Sequence, residues 1–293
     1  MAGEYRLVDA MTGMPSPPRP QTQARKLDPN IARWFKASSA MTQGATLEDM
    51  VAAMDAGDVE FAHVTAAIMG RVSGPAYGVG QDIPDPLFEA LCQRAAELMR
   101  RYPGRFKASV GLDPGSVRGA VRRLERAVNE YGFTGAYIMP SMVGLPPNHA
   151  SYFPIYAKCV ELGLSIKINV GVPGPMRPTS MQVPMLLDEV LLAFPELTVI
   201  GVHLGHPWIG EVIALLQKYP NFYLATSAWA PRHVPREIWD FANTSRGINK
   251  VMWATDYPLL SVQRCVREGW EVPLKEDARR RYLRDNALEL FKF

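Results

Sequence analysis

The sequence predicts a single-domain (β/α)8 barrel of the TIM type. Eight short runs of β-branched and other apolar residues alternate with stretches of helical periodicity. The long connections, rich in Gly and Pro, all follow strands, whereas the connections from helix to next strand are short. That asymmetry is expected when one rim of a parallel barrel carries function. A length of 293 residues suits one barrel over 1–293 with no linker.

The first strand spans residues 5–10. Residues 11–43 follow, with Pro15, Pro17, Pro18, Pro20 and Pro29. This density of proline predicts a rim loop without regular structure. Directly after a strand, such a loop is a binding loop or lid, which Trp34 and Phe35 would anchor. A helix over 46–56 opens on Thr46 with Asp49 three residues on, a variant of the capping box. The second strand, 60–68, leads into a loop at 70–86. The helix 86–101 places Leu87, Leu91, Ala95 and Leu98 at helical spacing. The third strand, 106–112, ends in the Asp113-Pro-Gly turn. The helix 116–131 turns Val117, Val121, Leu124 and Val128 inward. The fourth and fifth strands are 133–139 and 164–170. They are followed by loops at 140–149 and 171–178 and helices at 154–162 and 184–194. The sixth strand begins at Val199 and ends at His203, where Gly205 and Pro207 break it. A helix at 209–219, a strand at 222–226, a helix at 234–243 and a strand at 251–256 complete the alternation. Helices at 259–268 and 275–291 close the chain.

Composition excludes several classes. With 47% hydrophobic and 21% charged residues the chain has a large core and is not disordered. A net charge of +3, with arginine pairs placed on helices, does not point to nucleic acid. Three widely spaced cysteines without a CxxC suit buried, reduced thiols. The first residues lack a basic stretch followed by an apolar one, so no signal peptide is expected, and no apolar run is long enough to cross a bilayer. The expectation is a cytoplasmic protein acting on a small molecule.

A histidine at the end of a buried strand, as at His203, is where such a barrel places its chemistry. It can act as acid, base or oxyanion donor, or be a bonded core residue. Asp256, in Thr255-Asp-Tyr-Pro, ends the eighth strand. Among apolar neighbours its pKa would rise and make it a base near neutral pH; otherwise it caps a helix. Asn169 reaches the same rim and could orient substrate or water. His206 lies in the loop after His203. Arg177 could clamp a carboxylate bidentately. Met11, Trp208 and Tyr257, with Met14, Met139, Met142 and Trp229, suggest an apolar pocket friendly to aromatics. His63, in mid-strand, reads as core.

Four segments, His203-Leu-Gly-His-Pro-Trp208, Phe222-Tyr-Leu-Ala-Thr-Ser-Ala-Trp229, Thr255-Asp-Tyr-Pro258 and Asp285-Asn-Ala-Leu-Glu-Leu-Phe291, together resemble the amidohydrolase-related family. This group includes aminocarboxymuconate semialdehyde decarboxylase and pyrone dicarboxylate lactonase. The resemblance implies a barrel from Val8 to the C-terminus, often a homodimer, with hydrolase, decarboxylase or hydratase activity. It also implies a metal site built from an HxH pair after the first strand, a histidine after the fifth and an aspartate after the eighth, with a substrate-acting histidine after the sixth. Here those positions hold Met11 and Gly13, Asn169, Asp256 and His203. A thioether, a glycine and an amide do not replace three imidazoles, so no zinc or other metal cofactor is expected.

The leading expectation is therefore a metal-independent hydrolase of a small cyclic or carboxylated substrate, such as a lactone, an ester or an activated C–C bond. Asp256 would activate water, and His203 with Asn169 would stabilise the oxyanion. The alternatives are a decarboxylase or retro-aldol lyase acting on a carboxylated aromatic, with His203 and Asp256 moving protons, and a barrel that binds a ligand without catalysis.

Overall fold

Eight parallel strands stand side by side in chain order in a computed structural model of the protein, which describes residues 5–24, 26–66 and 85–293. They are β1 (Leu7–Gly13), β2 (Val59–Ala66), β3 (Phe106–Gly111), β4 (Gly135–Ile138), β5 (Ser165–Asn169), β6 (Val199–Val202), β7 (Phe222–Ala225) and β8 (Val251–Met252). Each pairs with the next. The ring is completed where Ala10 N donates to Trp253 O (3.1 Å) and Asp256 N donates to Met11 O (3.0 Å). The expected (β/α)8 barrel is the observed architecture.

The helices are α1 (Pro29–Trp34), α2 (Ser39–Gln43), α3 (Leu47–Ala56), α4 (Asp85–Arg101), α5 (Val117–Tyr131), α6 (Pro140–Val143), α7 (Phe153–Glu161), α8 (Asp188–Ala193), α9 (Ile209–Lys218), α10 (Arg236–Ala242), α11 (Val262–Trp270), α12 (Glu276–Arg280) and α13 (Asn286–Phe291). The capping box of α3 forms in both directions: Asp49 N donates to Thr46 Oγ1 (3.0 Å) and Thr46 N to Asp49 Oδ2 (2.8 Å). In α5 the fully buried line is Ala120, Leu124 and Ala127, with Val121 and Val128 only flanking it. Small side chains along that line let the helix lie close to the strands, so the buried stripe is rotated from the one its valines suggest.

Among the boundaries that differ from expectation, β8 ends at Met252 instead of residue 256 and the loop over 140–149 contains α6. β1 continues to Gly13 instead of ending at residue 10, because its backbone is still paired with β2 at Gly13 and Thr65. The proline-rich loop contains α1 and α2. Pro29 opens α1 beside Asp28, whose carboxylate accepts from Asn30 N (2.9 Å); in a first turn the missing proline N–H costs nothing. The last predicted helix is divided into α12, a widened turn at Arg281–Asp285 and α13. Residues 67 and 68 of the predicted second strand lie outside the described residues, as do 70–84 of the loop after it.

α13 closes the N-terminal end of the barrel. The Phe291 ring stacks on the His63 imidazole with centroids 4.1 Å apart. Lys107 Nζ donates to the carbonyls of Phe291 (2.7 Å) and Lys292 (2.8 Å). Phe61, Tyr223, Met252 and Phe293 fill the space around this plug. The opposite end of the barrel is left for a cavity. Phe291→Ala removes a buried ring from the plug and should lower the unfolding free energy by about 3 kcal/mol in urea titration; a loss under about 1 kcal/mol would show that α13 does not seal the barrel.

Candidate active site

The strand ends facing the cavity are held in unusual backbone conformations. His203, Leu204 and Gly205 follow β6 with φ of 72°, 67° and 76°; Ala228 has φ 63° and Asp256 φ 55°. For a residue with a Cβ this region costs roughly 1 kcal/mol or more, and such strain persists where surrounding structure imposes it, often at a site. Part of the constraint is steric. A Cβ at Gly171 would lie 2.7 Å from both Gly205 C and His206 O. The loops after β5 and β6 therefore pack backbone against backbone. This sets His206 beside Trp229, with ring centroids 5.2 Å apart.

Above these ends lies a cavity of about 610 Å³. Its floor includes Asp256, His203, Asn169, Tyr137 and Met11, and its walls and roof include Met14, Phe35, Met139, Trp229 and Tyr257. Of the residues expected from the sequence, Asp256, His203, Asn169, His206, Met11 and Tyr257 meet here. Trp208 and Arg177 do not. Trp208 N donates to Gly205 O (2.9 Å) and the residue caps α9, so the turn carries it away from the strand ends. Arg177 is half-buried and outside the cavity lining. The guanidinium that does line the cavity is Arg19 of the rim loop, which lies in the proline-rich stretch without any motif around it.

Burial, and then the nearby Asp9 carboxylate, push the Asp256 pKa up from 3.8 to about 8, with Lys167 opposing. The rise expected among apolar neighbours is present, and it moves the carboxyl into the range where it can exchange a proton near neutral pH. His203 moves the other way, down to about 4 through burial, and is neutral. Its Nδ1 lies 3.2 Å from the Ser227 carbonyl and 3.0 Å from Ser227 Oγ. A carbonyl only accepts, so Nδ1 carries the proton and Nε2 has a free lone pair. Ser227 Oγ also donates to Met11 Sδ (3.4 Å).

Asn169 is buried and bonds the Tyr137 phenol. Among the described residues, several buried side-chain atoms lack a hydrogen-bond partner; of these, Asn169 Oδ1 and Thr65 Oγ1 belong to residues that line the cavity. Buried polar atoms are rarely left unpaired in a finished core. These two are placed to meet a ligand.

A second polar layer lies beneath. Lys167, fully buried, places Nζ 2.7 Å from His63 Nδ1 and 3.2 Å from His63 O. Burial pulls its pKa down to about 7, against the pull of Asp9 and Asp256. Asp9 accepts from Thr255 Oγ1 (2.5 Å), Thr255 N (3.1 Å) and Met11 N (3.1 Å). The sequence carried a signal for this layer. Ser165, Lys167 and Asn169 alternate with apolar residues, and in a barrel strand, covered by helices outside, the polar face has only the lumen to turn to.

The donor set does not fit a divalent metal centre of the usual kind. Among the described residues, no three His, Cys, Asp or Glu side chains gather to hold an ion. At the strand ends Asp256 and Asn169 offer oxygen beside a thioether and a glycine, too few donors for zinc, which takes imidazole, thiolate and carboxylate ligands, or for manganese, which prefers an octahedron of oxygens.

Known structures of the same fold match the whole chain. An uncharacterised TIM-barrel protein from Bordetella bronchiseptica shares 21% identity with a TM-score of 0.77, covering 98% of each chain. 5-Carboxyvanillate decarboxylase from Sphingomonas paucimobilis shares 18% with a TM-score of 0.71, over 99% of this chain and 100% of that one. The 5-carboxyvanillate decarboxylase of Novosphingobium aromaticivorans, in complex with manganese and 4-hydroxy-3-methoxy-5-nitrobenzoic acid, shares 17% with a TM-score of 0.72, over 99% and 97%. Two expectations are corrected by these relatives. The metal-independent hydrolase gives way to its alternative, because the relatives of stated activity split a carbon–carbon bond in a carboxylated aromatic. The expectation of no metal cofactor is overturned by the manganese in the Novosphingobium enzyme; what sets this chain apart is its donor set. No helix among the described residues is long and apolar enough to cross a membrane. The amidohydrolase family model matches residues 34–293, from the end of α1 to the last residue, and the chain belongs to that family of enzymes.

Proposed function

We propose that the protein is a carbon–carbon lyase that decarboxylates a phenolic aromatic acid. The observation that carries this reading is the place of Asp256 on the floor of an apolar cavity, where burial and the nearby Asp9 carboxylate favour its protonated form. Removing a carboxylate from an aromatic ring requires a proton on the ring carbon that bears it, and a positioned acid can deliver one.

Asp256 transfers its proton to that carbon, and a ring π pair forms the new C–H bond. The electron deficit is relieved by a hydroxyl ortho or para to the carboxylate, whose proton passes to His203 Nε2. The C–C bond then breaks, its electrons restore the aromatic ring and CO2 departs. His203 returns its proton to the oxygen, and Asp256 regains one from water. Asn169 Oδ1 and Thr65 Oγ1 give the hydroxyl groups of the substrate fixed partners. The sulfur and aromatic walls favour the step further, since an anion becomes a neutral gas there. The buried, unpaired Cys92, Cys159 and Cys265 suit a cytoplasmic setting; a homodimer is part of the same reading on the family resemblance.

CO2 release from hydroxybenzoic acids tests the proposal. In D2O the product should carry one deuterium at the carbon that lost the carboxyl group, and Asp256→Asn should cut kcat by about 10²- to 10⁴-fold with the fold intact. Full activity in that variant would sink the assignment. The pH profile has a defined shape. The acid must be protonated, so the rate falls as pH rises through about 8; the base must be neutral, so it falls as pH drops through about 4. A rate that climbs above pH 9 would reverse the roles of the two groups.

A further inference from the structure

We propose that the substrate carries a second, ring-sized apolar group, with the reacting ring on the cavity floor and the second group in an outer chamber beneath the rim loop. This rests on the decarboxylase reading for the reacting end, and on separate observations for the chamber.

The first is volume. A dihydroxybenzoic acid has about eleven non-hydrogen atoms; even at the roughly 30 Å³ that a water molecule occupies in the liquid it takes up about 330 Å³. The cavity offers about 610 Å³. An apolar space that size is not matched to a single ring, and binding sites enclose most of a ligand's surface.

The second is that the chamber does not depend on a loose roof. The loop over it is fastened on two sides. Toward β5, Asn30 Nδ2 donates to Gly174 O (2.9 Å) and Met176 N to Asp28 Oδ2 (3.3 Å). Toward β8, Ser38 N donates to Leu259 O (2.9 Å) and Ser38 Oγ to Pro258 O. The loop also holds itself together, with Arg19 N donating to Gln43 O (2.7 Å) and Ala45 N to Ser16 O (2.8 Å). Ile31 and Phe35 reach from it over Gly174.

The third is the mouth. Trp34 of α1 and Leu87 of α4 are 53% and 43% exposed, among the most exposed large apolar side chains of the described residues, and both line the cavity. Apolar surface left in water at the end of an apolar channel marks a contact awaiting its partner. Both stand on helices beyond the strand ends that make the floor. An aryl-substituted aromatic acid, with its second ring on the side away from the carboxylate, would cover both.

The test is a binding comparison of salicylate with 4-phenylsalicylate, read by quenching of tryptophan fluorescence and by calorimetry, neither of which needs turnover. The phenyl compound should bind at least about thirtyfold more tightly. Trp34→Ala, at an exposed position, should erase about tenfold of that advantage and leave the Kd of salicylate unchanged. Affinities within threefold of one another, or a Trp34→Ala effect equal on both ligands, overturn the chamber. Absence of binding by either compound overturns both the chamber and the decarboxylase reading. Tight, Trp34-dependent binding of the phenyl compound with no CO2 release from either acid upholds the chamber and overturns the chemistry assigned to the floor.

Discussion

The site depends on one buried carboxylate, that of Asp9. It stands where the eighth strand must meet the first, and it bonds both: Met11 N on its own strand, and Thr255 N and Oγ1 across the junction. Thr255 Oγ1 then accepts from Tyr257 N (3.0 Å). Asp256 thus sits between two residues whose backbones are already committed, and its left-handed conformation is imposed from both sides. The bonds also offset much of the cost of burying the charge. Burial raises the Asp9 pKa to about 6, while Thr255, Met11 and Lys167 pull it down. Barrel closure and placement of the acid are one arrangement of atoms.

The same arrangement explains why neighbouring carboxyl groups behave differently. Asp9 is surrounded by donors. Asp256 faces apolar walls and the field of Asp9, which disfavours a second negative charge nearby. Lys167 lies below both and is held by His63. His63 in turn rests on Phe291, in the plug at the far end. Contacts therefore run from the C-terminal helix through His63 to Lys167, whose charge acts on Asp9 and Asp256, so packing at the base of the barrel bears on the electrostatics of the rim.

The strands were legible because both faces of a barrel strand are covered, which writes long apolar runs such as Val199–Val202. His203 and Asp256 were legible because they end such runs. Arg19 was not, since nothing in a proline-rich stretch states which side chain turns inward. Trp208 and Arg177 were misplaced for a related reason: nearness in sequence to a strand end does not fix direction, and a single turn at Gly205 sends Trp208 outward. The electrostatics of Asp256 were legible only in part. Apolar neighbours announce a raised pKa, but the further push comes from Asp9, 247 positions earlier in the chain.

By itself, the sequence determined the alternation of strands and helices, the barrel that this alternation dictates, the rim on which chemistry would sit and the absence of the usual ligand histidines at Met11, Gly13 and Asn169. These are properties of local pattern and residue type, which the chain carries wherever it folds. Only the tertiary structure decided that the pKa of Asp256 is pushed up while that of His203 is pushed down, that Lys167 and Asp9 lie beneath them, and that a fastened loop encloses more space than one ring can fill. Charge balance, burial and volume arise from groups far apart in the chain, and they exist only once the ring of strands has closed.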